Sequence, residues 1–397
     1  MNDWENMDSE LYVAESLLQV LSSVCIAFDG YDCVVYKTLI INGRFAGADQ
    51  IASRINNTKL FNEVILVSPQ YEEDGASGLS AILETASEQK ARFSRILSYM
   101  QKRSGYQRLY FAGPNQLTRD AKRFCLESNG KASLIDDGSG SHNAAIAKTF
   151  SLFDDILNES DITYCRRERV KSFFKRIFRT IAPSRGIFGV DSIYLFNPSE
   201  RDAAHFKNVQ IRSLDCSNPS VHKYVAEVFK IANKDSPRPE IVMLSMPDFC
   251  SDAYKKNEHE VLAAISISGL HAQFRPHPRK LDFSDVPDSF DIDQQRDFWE
   301  ASWMLGIYDE HTALIGAGST ALLTPKIMFD KEPFVIFTHR LVNDGFDNNS
   351  EESYEDILDR YTNKYRVIAP KTINELEDAL DIIGRELKLL GGEVYGC

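Results

Sequence analysis

Short β-rich runs separated by helical patterns recur along this chain, and that rhythm leaves few folds open. Residues 11–14 read as a strand, 17–28 as a helix, and 33–41 and 64–67 as strands. A long polar helix follows near 86–102, then a strand at 108–112, a helix at 117–127 and a strand at 132–135. Strands alternating with helices are βαβ units, which build a parallel sheet covered by helices. The rhythm restarts with strands at 192–196, 209–214 and 240–245, a helix at 258–268 and a strand at 272–275. A helix at 294–305, a strand at 313–315, a helix at 320–329 and a strand at 333–337 come next, before helical patterns at 354–365 and 373–390. The expected class is α/β: two Rossmann-like, doubly wound domains facing a central cleft, with ligands at the carboxyl ends of the strands. A length of 397 residues suits two such domains. They are expected at 1–160 and 188–397, joined by a linker helix at 161–187, with a C-terminal helix able to cross back.

Charge narrows the partners. A net charge of −13 opposes general nucleic-acid binding, since a phosphate backbone needs a basic surface. Residues 166–185 depart from that average, with eight Arg or Lys against the single acid Glu168. Val170, Phe173, Phe174, Ile177, Phe178 and Ile181 fall on one helical face there, with Arg167, Lys171, Lys175, Arg176 and Arg179 on the rest. Such a helix suits an anionic membrane surface, or equally an interdomain or homodimer contact. No basic and apolar leader opens the chain, and no stretch reaches the roughly 18 apolar residues of a membrane span, so a cytoplasmic protein, peripheral at most on the inner membrane face, is expected. The seven scattered cysteines include no C-x-x-C pair and read as reduced packing residues.

Three stretches carry candidate chemistry. Leu134-Ile135-Asp136-Asp137-Gly138 places two carboxylates after a buried strand, before a glycine that lets the backbone turn. Adjacent side chains at a strand end diverge, so one acid can meet a substrate while the other braces the loop. Neighbouring negative charge raises a carboxyl pKa, which suits a general base; the plainer alternative is an Asx turn. Phe274-Arg275-Pro276-His277-Pro278-Arg279-Lys280 fixes a histidine between prolines among cations, a setting for an anionic ligand or a departing phosphate. Gly316-Ala317-Gly318-Ser319-Thr320 joins a strand to a helix start, where free N–H groups attract an anion; the plainer alternative is a capped helix. It has neither the Walker lysine nor the G-x-G-x-x-G spacing, so ATP and NAD are poor candidates. Asp291-Ile292-Asp293 matches a D-x-D metal motif formally but precedes a helix that either acid could cap, and no metal site is expected.

The order Asp-Asp-Gly, His-Pro, Ser-Thr resembles the bacterial sialyltransferases, most closely glycosyltransferase family 52, the lipooligosaccharide sialyltransferases, and next the capsular polysialyltransferases. The opening residues 11–19 also look like that family's first strand and helix, with Glu15-Ser16-Leu17 where the family reads more like T-P-L-Q. The resemblance implies a metal-independent GT-B enzyme without a cofactor. It would transfer sialic acid with inversion from CMP-sialic acid to a terminal sugar, galactose by analogy, of a glycan or glycolipid acceptor. It implies Asp136, or failing it Asp137, as base, His277 on the departing CMP phosphate, and Ser319 and Thr320 as phosphate ligands. Gly138, Pro278 and Gly318 belong to the same motifs, and Glu300 matches a glutamate that family members keep for the ribose. Asp248, Asp252 and Glu258 stay in reserve as base. A donor carrying Kdo or another nonulosonic acid, or polysialic acid synthesis, would need the same groups. A nucleotide-sugar epimerase or hydrolase of the same fold and a non-catalytic glycan-binding protein are the readings from other classes.

The basic segment generates one expectation of its own. Replacing Phe173, Phe174 and Phe178 with Ser is expected to abolish sedimentation with anionic liposomes; unchanged sedimentation would assign that face to protein contacts.

Overall fold

The computed structural model describes residues 8–29, 35–67, 105–113, 117–118, 121, 125, 130–138, 190–206, 209–231, 237–247, 251–277, 280, 282–293, 297–342 and 348–393. The chain divides into two compact units, Met1–Val228 and Phe229–Cys397.

The first unit holds a seven-stranded parallel sheet of β1 (Ser9–Ala14), β2 (Tyr36–Asn42), β3 (Glu63–Val67), β4 (Arg108–Phe111), β5 (Lys131–Ile135), β6 (Ser192–Phe196) and β7 (Gln210–Leu214). Its spatial order is β3-β2-β1-β4-β5-β6-β7. The helices are α1 (Leu17–Asp29), α2 (Ala48–Thr58), α3 (Glu200–His205) and α4 (Pro219–Phe229), the last ending at the boundary between the units. Apolar side chains of β1, β4, β5 and β6, among them Leu11, Val13, Leu109, Leu134 and Leu195, form one core cluster. Helix α1 is buried on nearly every side, so its polar groups need internal partners. Ser23 Oγ donates to the Gln19 carbonyl (2.7 Å) and Ser22 Oγ to the Asp136 carbonyl (3.0 Å).

The second unit holds a six-stranded parallel sheet of β8 (Ile241–Leu244), β9 (Ala272–Arg275), β10 (Phe290–Ile292), β11 (Ala313–Gly316), β12 (Val335–Phe337) and β13 (Val367–Ile368), ordered β10-β9-β8-β11-β12-β13. Its helices are α5 (Asp252–Ser268), α6 (Trp299–Met304), α7 (Thr324–Phe329), α8 (Asn348–Arg360) and α9 (Ile373–Glu393). The two faces of the sheet carry separate cores, one with α5 and α9 residues such as Val261, Ile265 and Leu380, the other with Trp299, Trp303, Ile327 and Ile357. Burial on both faces explains why these strands are apolar runs without alternation.

The domain boundary expected at residue 188 is corrected. Strand β6 pairs in parallel with β5 through Ser133↔Ser192, Leu134↔Ile193 and Ile135↔Tyr194, and β7 extends the same sheet. The serine hydroxyls of the first pair meet at 2.9 Å, and the Asp191 carboxylate accepts the Ala132 N–H at 3.1 Å. A restarted βα rhythm announces another strand and says nothing about which sheet receives it. The expected linker helix at 161–187 and the polar helix near 86–102 lie outside the described residues. Among the described residues no helix is long and apolar enough to cross a membrane.

Glu332 fastens the second unit where the chain enters β12. Burial alone would raise its pKa. The Lys326 ammonium at 2.6 Å and the Thr362 and Asn363 N–H groups at 2.7 and 3.0 Å outweigh burial and hold it down, at about 2. A carboxylate depressed in the folded state adds stability that is complete above its ordinary value near 4.5 and vanishes as pH falls to about 2. Glu332→Gln is therefore expected to lower neutral-pH stability by on the order of 3 kcal/mol. The same substitution should flatten the acid limb of stability against pH, both effects being measured by urea unfolding.

Candidate functional site

In parallel sheets, ligands gather at the carboxyl edge where strand order reverses. In the first unit that point lies between β1 and β4. Asp136, directly after β5, is fully buried. Its Oδ1 accepts the Gly138 N–H (2.8 Å) and its Oδ2 the Phe196 N–H (2.9 Å), so it ties the β5 loop to the end of β6. Asp136 as first choice of base is thereby corrected: both carboxylate oxygens serve backbone donors inside the protein. Gly138 completes the turn at φ 90°, and a Cβ there would stand 3.1 Å from the Leu18 side chain.

Asp137 is the exposed member of the pair. Its Oδ1 accepts from Gln19 Nε2 (3.0 Å) and Ser16 Oγ (3.2 Å). Gln19 in turn accepts the Glu15 N–H (2.8 Å), and the Glu15 carboxylate accepts from Asn42 Nδ2 (3.1 Å). Crowding by protein raises the Asp137 carboxyl above its usual range; the Gln19 and Ser16 donors pull it back, and the Asp136 charge adds a further rise. Water still reaches the group, which moderates the shift. Sequence reasoning did not pick out Gln19 or Ser16 as partners of the acid. The available signal was a hydroxyl three residues before an amide at a helix start, where Ser16 Oγ also accepts the Gln19 N–H (3.2 Å).

In the second unit the order reverses between β8 and β11, and three distant stretches leave the sheet at that edge. Ser245, following β8, donates its N–H to the Arg275 carbonyl (3.1 Å) and accepts the His277 N–H on its Oγ (2.6 Å). The loop after β9 is thus fixed to the end of β8 through its main chain, with His277 half-buried. Glu258 clamps the same region: its Oε2 accepts the Met246 N–H (2.8 Å) and its Oε1 pairs with Lys280 (2.5 Å), both side chains being largely buried. That engagement corrects Glu258 as a reserve base. Pro247, Lys255, Glu258, His259, Lys280 and Phe283 help to line a cavity of about 340 Å³ alongside. Asp252 is a fully exposed helix-start acid 3.8 Å from Lys255, while Asp248 and Pro278 lie outside the described residues.

The Gly-Ser-Thr stretch leaves β11 at this edge. Gly316 lies against Leu244, and a Cβ on Gly318 would stand 2.0 Å from Ser350 Oγ at the start of α8, so the close approach requires glycine. Ser319 caps the turn by accepting the Ala321 N–H (3.3 Å), and Thr320 is exposed. The helix expected at 320–329 is broken into a 3-10 turn, Thr320–Leu322, and α7, because Pro325 cannot donate the N–H that a continuous helix needs. The Trp299 indole N–H supplies a donor to the Ala321 carbonyl (3.0 Å). Arg275 stacks over the Trp299 ring at 5.0 Å and pairs with buried Asp293 at 2.5 Å. Glu300, next to Trp299, is half-buried; desolvation lifts its carboxyl above the usual range against its own backbone N–H and Arg275. Asp291 bonds His271 Nε2 (2.8 Å), so the acids of the D-x-D stretch serve separate partners rather than one helix cap.

No protein-family model and no curated protein sequence matches this chain. Among solved structures, the chain is similar to the GT-B domain of a sialyltransferase from Photobacterium damselae, at 12% identity over 91% of this chain and 99% of that one, with a TM-score of 0.52. It is also similar to TcCGT1 in complex with UDP (11% identity, 96% and 92% covered, TM-score 0.49). A third is a UDP-GlcNAc 2-epimerase from Methanocaldococcus jannaschii (10% identity, 95% and 100% covered, TM-score 0.47). The fold is GT-B.

The Asp pair separates the buried brace from the exposed acid in a single measurement. Asp136→Asn is expected to destabilise the protein by about 3 kcal/mol, since the amide faces two backbone donors with one acceptor oxygen. Asp137→Asn is expected to leave the thermal midpoint nearly unchanged.

Proposed function

We propose that this chain is an inverting glycosyltransferase that moves sialic acid, or a related keto acid, from its CMP donor to the hydroxyl of a terminal sugar on a glycan or glycolipid. The observation that supports this reading is that the loops carrying Ser245, His277 and Gly318-Ser319-Thr320 all leave the second sheet at its switch-point edge, with the His277 N–H bonded to Ser245. A monophosphate ester needs exposed donors and cationic surroundings there, and ligands of GT-B-like sheets bind at such edges. The sialyltransferase similarity supports the fold this requires.

In this mechanism Asp137 accepts the proton of the acceptor hydroxyl while that oxygen attacks the anomeric carbon. The bond from the anomeric carbon to the phosphate oxygen breaks, and CMP leaves with the electron pair. His277 donates a hydrogen bond or proton to the departing phosphate, and Ser319 and Thr320 hold its oxygens. Glu300 faces the ribose. A carboxyl above its usual range is a stronger proton acceptor, which suits Asp137 to the role. Residues 166–185 hold the protein on the anionic membrane surface that delivers a lipid-linked acceptor.

Incubation with CMP-sialic acid, with and without lactose, tests the proposal by CMP release and product mass. Release should depend on lactose and fall at least about a hundredfold in Asp137→Asn and His277→Ala. Release without acceptor would mark an epimerase or hydrolase, and CMP binding without turnover a binding protein. The base must be ionised, so activity should fall as pH drops through the raised Asp137 pKa. Gln19→Leu removes a donor to the charged form and should move that acid limb of kcat/KM to higher pH.

A further inference from the structure

The chain segment after β11 contains a backbone vacancy of its own making. In an α-helix the N–H of residue 325 would bond the carbonyl of residue 321. Position 325 is proline, which has no N–H, so the Ala321 carbonyl is denied its helical donor. Its neighbours are served by the chain: the Ser319 carbonyl accepts from Leu322 (3.0 Å), Thr320 from Leu323 (3.0 Å) and Leu323 from Ile327 (3.0 Å). Ala321 is half-buried, and the Trp299 indole N–H, from the buried first residue of α6, reaches its carbonyl at 3.0 Å.

The face of the same indole ring carries a second contact. Arg275 lies over it at 5.0 Å, pairs with Asp293, and donates to the Asp297 carbonyl just ahead of α6. Arg275 ends β9, two residues before His277. An unbroken series of contacts therefore runs from Asp293 through Arg275 and Trp299 to the turn that carries Ser319 and Thr320. It sets the two loops of the switch point at a fixed spacing.

We infer that Trp299 is a positioning residue, whose indole N–H takes the place of the amide missing at Pro325 and holds the Gly-Ser-Thr turn in register with the His277 loop for binding a nucleoside monophosphate. The ligand class rests on the function proposed above; the hydrogen-bond substitution does not.

Trp299→Phe keeps an aromatic ring beside Arg275 and removes the donor together with part of a buried ring, so a second variant is needed to separate the two losses. Hydrogen exchange in peptides spanning 317–324 should speed up about tenfold or more, as local opening becomes easier. Affinity for CMP, measured by calorimetry, should weaken about tenfold, the effect of one lost hydrogen bond. Adding Pro325→Ala restores a backbone N–H opposite the Ala321 carbonyl, so Trp299→Phe/Pro325→Ala should recover slow exchange and CMP affinity, a rescue that simple loss of packing would not allow. Unchanged exchange in Trp299→Phe, or a double variant no better than the single one, overturns the inference. If Trp299→Phe does not fold, the wild-type indole proton decides. Trp299 should resonate well downfield of Trp303, whose buried indole N–H has no acceptor among the described residues, and equal shifts overturn the inference. Failure of the wild type to bind CMP would sink the proposed function while the exchange measurement still judged Trp299.

Discussion

Parallel pairing is the constraint on which the rest of this molecule depends. A strand that returns in the same direction needs a crossover at every step, so helices cover the sheet faces and every strand ends at the same edge. Loops at that edge come from stretches far apart in sequence. In the second unit, Arg275, Leu244 and Gly316 lie level across β9, β8 and β11, so the loops that carry residues 277, 245 and 319 leave from one edge. Polar side chains can then concentrate on one rim while both faces stay apolar, which is what the two core clusters of that unit show.

Each rim separates residues that shape it from residues that face outward. Asp136 and Asp137 are neighbours in sequence, yet one is consumed by the Gly138 and Phe196 amides and the other is exposed and bonded to Gln19 and Ser16. Glu258 and Asp293 are likewise drawn into pairs with Lys280 and Arg275. An acid near a strand end is thus an ambiguous sign: burying it among backbone donors makes a fastener, and leaving it at the surface keeps it accessible to solvent.

The strand and helix rhythm was largely legible in the sequence, because fully buried strands are apolar runs whose ends are marked by Gly, Pro or Asp. Strands β6 and β9 and the starts of α1 and α9 fall where the pattern places them. Sheet membership was not legible, since β6 and β7 look as suited to the second sheet as to the first, and only pairing with β5 decides. Short strands such as β10 and β13 gave too few residues for a pattern. The three candidate loops were legible as motifs, but the roles within them depend on partners that no local spacing reveals: Phe196 for Asp136, Ser350 for Gly318 and Trp299 for Ala321.

The tether between Ser245 and position 277 runs through the amide of the histidine. Every amino acid except proline offers that same amide, so this one tether does not depend on which side chain stands at position 277. Selection could therefore exchange the chemistry presented at this position without first rebuilding the scaffold, a separation of shape from reactivity that makes the rim a permissive place for new specificities to arise.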